Sequence, residues 1–279
     1  MFKHILVPLD GSDLAERAVP CAEQLAGTGE ATLHLVGVVD LLVHSVWAPM
    51  PVYISDDTFQ RELKQMTTYL EGLEAQLTAR GLKVRISTLT GSVAATLLDY
   101  EHDEGIDLVV MCTHGRSGPA RFALGSVAER LLHYGTVPLL MARAAGVPVN
   151  LAHAVVPLDG SALSESALDV VEQLAGSVVK EATFLRVVAD AEDRPVAEKY
   201  LEERAARFQP DRVRCISRVE VGDPAEEILE AAGTNRLVVM ATHGRTGLTR
   251  WAIGSVADRV ARGGASAVIA VRSRAAQPA

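Results

Sequence analysis

Two kinds of block in this sequence could hold a charged ligand, and each is written twice. Gly115 and Arg116 precede the pair Gly125 and Ser126, with nine residues between the two glycines, and Gly244 and Arg245 precede Gly254 and Ser255 at the same spacing. A glycine after a strand lets the backbone come close to a ligand. The residues after each Gly-Ser pair read as a helix. Its first-turn N–H groups lack intrahelical partners and, with the serine hydroxyl, favour a phosphate. Arg116, Arg121, Arg245 and Arg250 add positive charge nearby. The spacing is not that of a Walker loop, since no lysine stands at the P-loop position, and no G-x-G-x-x-G turn follows the first strand.

The other block is Pro8-Leu-Asp-Gly-Ser12, repeated as Pro157-Leu-Asp-Gly-Ser161. Asp10 and Asp159 end their strands with a carboxylate or a carbonyl that can accept from the exocyclic amine of a base. Pro8, Val38, Pro157 and Val187 would wall the base with apolar surface. A plainer reading makes the same residues a turn and the cap of the next helix. The joint recurrence of both blocks favours ligand contact. His114 and His243 are lone histidines with no Cys or His at ligand spacing, so they are expected at a rim or in a structural role. No catalytic group and no metal site are expected.

These blocks belong to a tandem duplication. Asp10 matches Asp159 at an offset of 149 residues, whereas Val109-Val-Met-Cys-Thr-His-Gly and Leu124-Gly-Ser-Val-Ala match their copies at 129. Most of the difference falls in Asp40–Asp57, a Pro-rich stretch with Trp47 and Tyr53 that reads as a long loop, either a lid or a partner surface. Residues 144–150 form a short linker between domains at 1–145 and 150–273, and the tail 272–279 reads as disordered. Asp107 and its counterpart Arg236 read as surface variation.

Apolar runs of strand length are expected near 2–9, 31–39, 82–89, 106–113 and 137–142, and again near 153–158, 182–188, 213–220, 236–241 and 266–271. Their Val, Ile and Leu residues do not alternate with polar ones, as expected of parallel strands buried on both faces. Amphipathic stretches lie between them. The first, with Leu14, Ala18, Cys21, Ala22 and Leu25 on one face, contains Pro20, which conflicts with an unbroken helix. Five strand–helix alternations per copy predict two doubly wound α/β domains, whose ligands bind beyond the carboxyl ends of the strands.

Composition narrows the classes. Aromatics are only 4% of the residues, so the cores must be built from Val, Leu, Ile and Ala. A formal net charge of −8 argues against nucleic acid or an anionic membrane surface as a partner. Three cysteines without C-x-x-C spacing argue against a disulfide framework and fit a reducing compartment, and Cys112 reads as an inert core thiol. The apolar run at the N-terminus is too short for a signal peptide, and no apolar run is long enough to span a bilayer, so a cytoplasmic protein is expected.

The Pro-x-Asp-Gly-Ser block, the Thr-His-Gly loop and the following Gly-Ser pair resemble the universal stress protein family in both copies. The resemblance implies a five-stranded parallel sheet in the order 3-2-1-4-5 and pairing of two domains through their fifth strands. Within one chain this would be an intramolecular pseudo-twofold dimer, with a further homodimer open. It also implies ATP with Mg²⁺ as ligand of one or both copies, in a stress sensor that is not an enzyme. Asp10 and Val38 would take adenine, and Gly115, Gly125, Ser126 and Val127 the phosphates, with Asp159, Val187, Gly244, Gly254, Ser255 and Val256 as counterparts. The sequence departs from the ATP-binding pattern at its first loop glycine, where Cys112 and Ala241 stand. The alternatives are a slow ATP hydrolase and an interaction module of the same fold without nucleotide.

Overall fold

The computed structural model describes residues 1–27, 30–40, 55–113, 124–143, 149–242, 254–263 and 267–272, together with the backbone of 42–43 and 52–53. The chain divides into two compact units, Phe2–Met111 and Cys112–Ala279.

The unit Phe2–Met111 runs β1 (His4–Pro8), α1 (Asp13–Glu16), α2 (Val19–Ala26), β2 (Thr32–Val39), β3 (Leu42–Val43), β4 (Val52–Tyr53), α3 (Asp56–Ala79), β5 (Lys83–Thr90), α4 (Val93–Asp103) and the start of β6 (Leu108–Thr113). Its sheet has the order β5-β2-β1-β6, and every neighbouring pair is parallel. Ile5, Leu6 and Val7 are all fully buried, which is why that strand shows no alternation.

Pro20 is accommodated by a break. The first helical turn ends at Glu16, and α2 begins at Val19 with the proline in its first turn, where a missing N–H breaks no helical hydrogen bond. The expected loop at 40–57 is in part regular: β3 and β4 form a short antiparallel pair, and α3 begins at Asp56. Trp47, Pro49, Pro51 and the side chain of Tyr53 lie outside the described residues.

The unit Cys112–Ala279 contains α5 (Ser126–Tyr134), β7 (Leu139–Arg143), β8 (Asn150–Pro157), α6 (Ala162–Leu174), β9 (Glu181–Val188), α7 (Arg194–Ala205), β10 (Arg214–Val221), α8 (Pro224–Ala232), β11 (Arg236–Ala241), α9 (Ser255–Gly263) and β12 (Val268–Val271). The strands of the second copy stand in the order β10-β9-β8-β11-β12, all parallel, which is the 3-2-1-4-5 order of a doubly wound sheet. On β12 lies β7, the fifth strand of the first copy, antiparallel, with Leu140 opposite Ile269. Among the described residues no helix is long and apolar enough to cross a membrane.

Asp107 and Arg236 are not idle surface positions. The Asp107 carboxylate accepts from the Lys3 and His4 amides at 2.6 and 3.1 Å, closing the start of β1. Arg236 instead donates to the Ala231 carbonyl at 2.8 Å, at the C-terminus of α8. The two residues serve different backbone groups, which explains their opposite charge.

A polar chain crosses the core of Phe2–Met111. His4 Nδ1 lies 3.1 Å from His34 Nε2, His34 Nδ1 lies 3.0 Å from the Tyr100 hydroxyl, and that hydroxyl lies 3.3 Å from Ser87 Oγ. His34 is fully buried, and burial first, then the neighbouring His4 and Arg85, push its pKa down to about 4. A histidine held neutral in the fold stabilises it above the unfolded value near pH 6.5, and that contribution is lost as pH falls toward 4. By pH 5, still above the carboxylate range, stability should drop by about 2 kcal/mol. Thermal melting of the wild type and of His34→Gln at pH 7 and pH 5 checks this, with the variant expected to show the smaller drop.

Candidate functional site

Parallel strands bring their carboxyl ends to one edge, and in the second copy that edge opens into a cavity of about 260 Å³. Pro157 and Asp159 enter it from the end of β8, and Leu185 and Val187 from the end of β9. Met240, Ala241 and Thr242 line it from β11, and Pro224 and Ile228 from α8. Gly254, Ser255 and Val256 close it at the start of α9. The structure thus gathers six residues named from the sequence: Pro157, Asp159, Val187, Gly254, Ser255 and Val256. The walls are mainly apolar, and the polar groups stand at the Asp159 turn and the α9 end.

The Asp159 turn is locked from both sides. Asp159 Oδ1 accepts from the Ser161 amide at 2.9 Å and from its hydroxyl at 2.5 Å. Ser161 Oγ then accepts from the Ser164 amide at 3.1 Å and so caps α6. Between them Gly160 takes φ +82°, a left-handed conformation that L residues avoid, and a Cβ there would stand 2.5 Å from Arg186 Nη1. Arg186 also lies over the Tyr200 ring at 5.0 Å, with Arg204 at 4.7 Å from the same ring. The Tyr200 hydroxyl donates to Glu165 at 3.0 Å, and burial followed by that bond pushes its pKa up to about 12. The first copy repeats the turn: Asp10 Oδ1 accepts from the Ser12 amide and hydroxyl at 3.0 and 2.6 Å, and Gly11 has φ +78°.

At the opposite end, the Gly254 amide donates to the Thr242 carbonyl at 2.7 Å, and the Gly254 carbonyl accepts from Asp258 at 2.9 Å. Gly254 thereby begins α9, and the N–H groups of its first turn, Ser255 to Ala257, have no acceptor within the helix. Ser255, Val256 and Ala257 line the cavity at this helix start, an arrangement suited to an anion. Sequence reading missed the staple beside them. Asp223 Oδ1 accepts from the Ala225 and Glu226 amides at 3.0 Å each, capping α8, while its Oδ2 meets Arg259 Nη1 of α9 at 2.8 Å. The Arg259 hydrogen bond, with the backbone bonds, holds the Asp223 carboxyl below its usual range. Asp-Pro after Gly222 carried the cap signal, but its pairing with a residue 36 positions on is a tertiary fact. The first copy has Ser92 at that place.

Pro8, Asp10 and Val38 stand at the ends of β1 and β2 in the unit Phe2–Met111. Gly125, Ser126 and Val127 open α5 in the other unit, where Gly125 has extended backbone and accepts from Glu129 at 2.9 Å. Cys112 is partly buried near the end of β6, a correction to the fully buried reading. By contrast, Cys21 is buried, and burial pushes its thiol up to about 11. Gly115, Arg116, Arg121, Gly244, Arg245 and Arg250, with His114 and His243, lie outside the described residues. Among the described residues no group of three or more His, Cys, Asp or Glu converges on a metal position.

Comparison with known proteins gives one answer in both copies. The sequence profile of the universal stress protein family matches residues 1–143 and 151–272. A universal stress protein of Mycolicibacterium smegmatis is 30% identical over 296 aligned positions, covering 97% of each chain. One from Mycobacterium tuberculosis is 29% identical, covering 96% of each chain. The fold is shared with a universal stress protein from Archaeoglobus fulgidus of known crystal structure, with TM-score 0.77, 18% identity, and coverage of 96% of this chain and 98% of that one.

Two measurements test this geometry. Gly11→Ala and Gly160→Ala should each lose about 1–2 kcal/mol in urea unfolding, because a Cβ is forced into the left-handed region. Asp223→Ala should speed hydrogen exchange of the Ala225 and Glu226 amides in the first turn of α8 at pH 7, because it removes their acceptor. In the wild type the same loosening should appear on acidification through the depressed Asp223 pKa, since the ionised form holds the staple.

Proposed function

We propose that this chain, which belongs to the universal stress protein family in both of its copies, is an ATP-binding sensor whose second copy carries a nucleotide pocket. The observation that carries the proposal is the cavity beyond β8, β9 and β11, apolar at its walls and closed by the first-turn residues of α9. At about 260 Å³ it is just under the range of about 300–1,000 Å³ usual for ligand pockets. It therefore suits the nucleoside part, with the phosphates leaving along α9. Pro157 and Val187 would hold the faces of adenine, and the Asp159 turn would accept from its exocyclic amine. Ser255 and Val256 would donate to phosphate oxygens.

In the first copy, Pro8, Asp10 and Val38 would take the base, and Gly125, Ser126 and Val127 the phosphates. Mg²⁺ would be held by phosphate oxygens and water, as fits the lack of a converging carboxylate cluster among the described residues. Neither sequence block shows an evident base besides His114 or His243, which favours binding over hydrolysis. A protein that changes state with bound ATP suits a regulator in the stress response, acting on a protein partner.

Isothermal titration with ATP and Mg²⁺, and nucleotide analysis of denatured protein, test the reading. Binding should be saturable, and ATP should be recovered intact after hours. Val187→Trp fills the base end, and Asp159→Asn replaces a charged acceptor while leaving an oxygen for the Ser161 turn. Each should weaken ATP at the second pocket about tenfold or more with little change in melting. Absence of binding at millimolar ATP would overturn the reading in favour of an interaction module. Release of phosphate by the wild type would make it an ATPase instead.

A further inference from the structure

The two copies exchange arginines at their fifth strands. Arg143, the last residue of β7, donates from Nη2 to the Ala261 carbonyl in the final turn of α9. Arg272, one residue beyond β12, donates to the Gly135 and His133 carbonyls at the end of α5. Arg143 and Arg272 correspond at the 129-residue offset of the Gly-Ser blocks, so the contact is reciprocal: each copy's arginine holds the other copy's helix.

The carbonyls involved sit at helix ends, where the last turn lacks intrahelical donors and the helix dipole favours a cation. Arg143 is partly buried, and desolvation lowers its pKa, so its guanidinium depends on such acceptors. A second tie runs alongside, with Arg262 of α9 at 3.6 Å from Glu129 of α5. These helices also carry the ligand ends. The nine residues of α9 place Ser255 and Val256 at the cavity and Ala261 under Arg143. At 1.5 Å per residue the two ends are about 12 Å apart, one short rigid rod.

We infer that Arg143 is a positioning residue, supplied by the first copy, for the phosphate end of the second copy's pocket. By gripping the C-terminus of α9 it sets where the N-terminal amides stand, so the pocket is complete only with β7 in place. Arg272 does the same for α5 and Ser126. The arrangement makes the paired fifth strands part of the binding machinery as well as a join. The inference rests on the nucleotide reading above, and its test separates the two.

The experiment uses the full chain and follows ATP-dependent protection of residues 254–262 from hydrogen exchange, titrated to a local Kd, with adenosine as a ligand that lacks phosphates. Arg143→Met keeps the aliphatic stem and removes the donors. It should weaken ATP about three- to tenfold and leave adenosine within about twofold of the wild type. Arg143→Lys, which keeps a cation, should recover part of the loss and provides a folded variant should the methionine not be tolerated. Equal weakening of ATP and adenosine in either Arg143 variant would reduce the arginine to general stability and overturn the inference, as would unchanged ATP binding. Absence of ATP protection in the wild type would overturn the nucleotide reading and the inference with it, whereas normal wild-type protection with no variant effect would overturn the inference alone.

Discussion

Parallel strands cannot be joined by tight turns. Each connection must climb back over the sheet, and a helix is the cheapest way to do so with every backbone group bonded. From this constraint comes the rest of the molecule. It buries both faces of the strands, so β1 and β11 read as unbroken apolar runs. It turns the carboxyl ends of the parallel strands of a copy to one edge, in the second copy the edge where β8, β9 and β11 meet. It also makes the chain enter each helix from that edge, so the residues at the start of α9 line the same space as the Asp159 turn.

The fifth strands extend the same logic across the duplication. An edge strand exposes unpaired backbone groups and invites another strand. Here β12 is covered by β7 in antiparallel register, and the arginines that follow reach helix ends which would otherwise present bare carbonyls. A join between copies and a cap on the C-terminal ends of α5 and α9 are achieved by the same few residues.

Duplication has not kept the copies equal. Gly37 lies so close to Met66 that a Cβ would stand 2.3 Å from its sulfur, whereas the corresponding positions of the second copy carry Arg186 and Ala197, with small and large exchanged. That exchange puts the guanidinium beside Gly160 and Tyr200 in the second copy. Asp223 ties α8 to α9, where the first copy offers Ser92. Conversely, His34 and its partners Tyr100 and Ser87 fill a place that holds Thr183, Ala231 and Arg218 in the second copy. The copies share a fold and a turn but differ in what steadies them.

The sequence by itself determined the duplication, the strand and helix alternation and the residues at the strand ends, because these are local: a run of Val and Ile, a glycine at a turn, a serine before a helix. The second-copy cavity brings together Pro157, Asp159, Val187, Gly254, Ser255 and Val256. Pro20 was the one local conflict, and its answer, a helix restarted so that the proline falls in a first turn, needed backbone geometry. Tertiary structure alone decided that Leu185, Pro224, Ile228 and Met240 would complete the walls, that Asp223 would find Arg259, and that Arg143 would find Ala261, 118 residues away. Helix faces and strand edges carry no mark of their partner in the sequence. Which side chain meets which carbonyl is fixed only when the sheet order brings distant segments side by side.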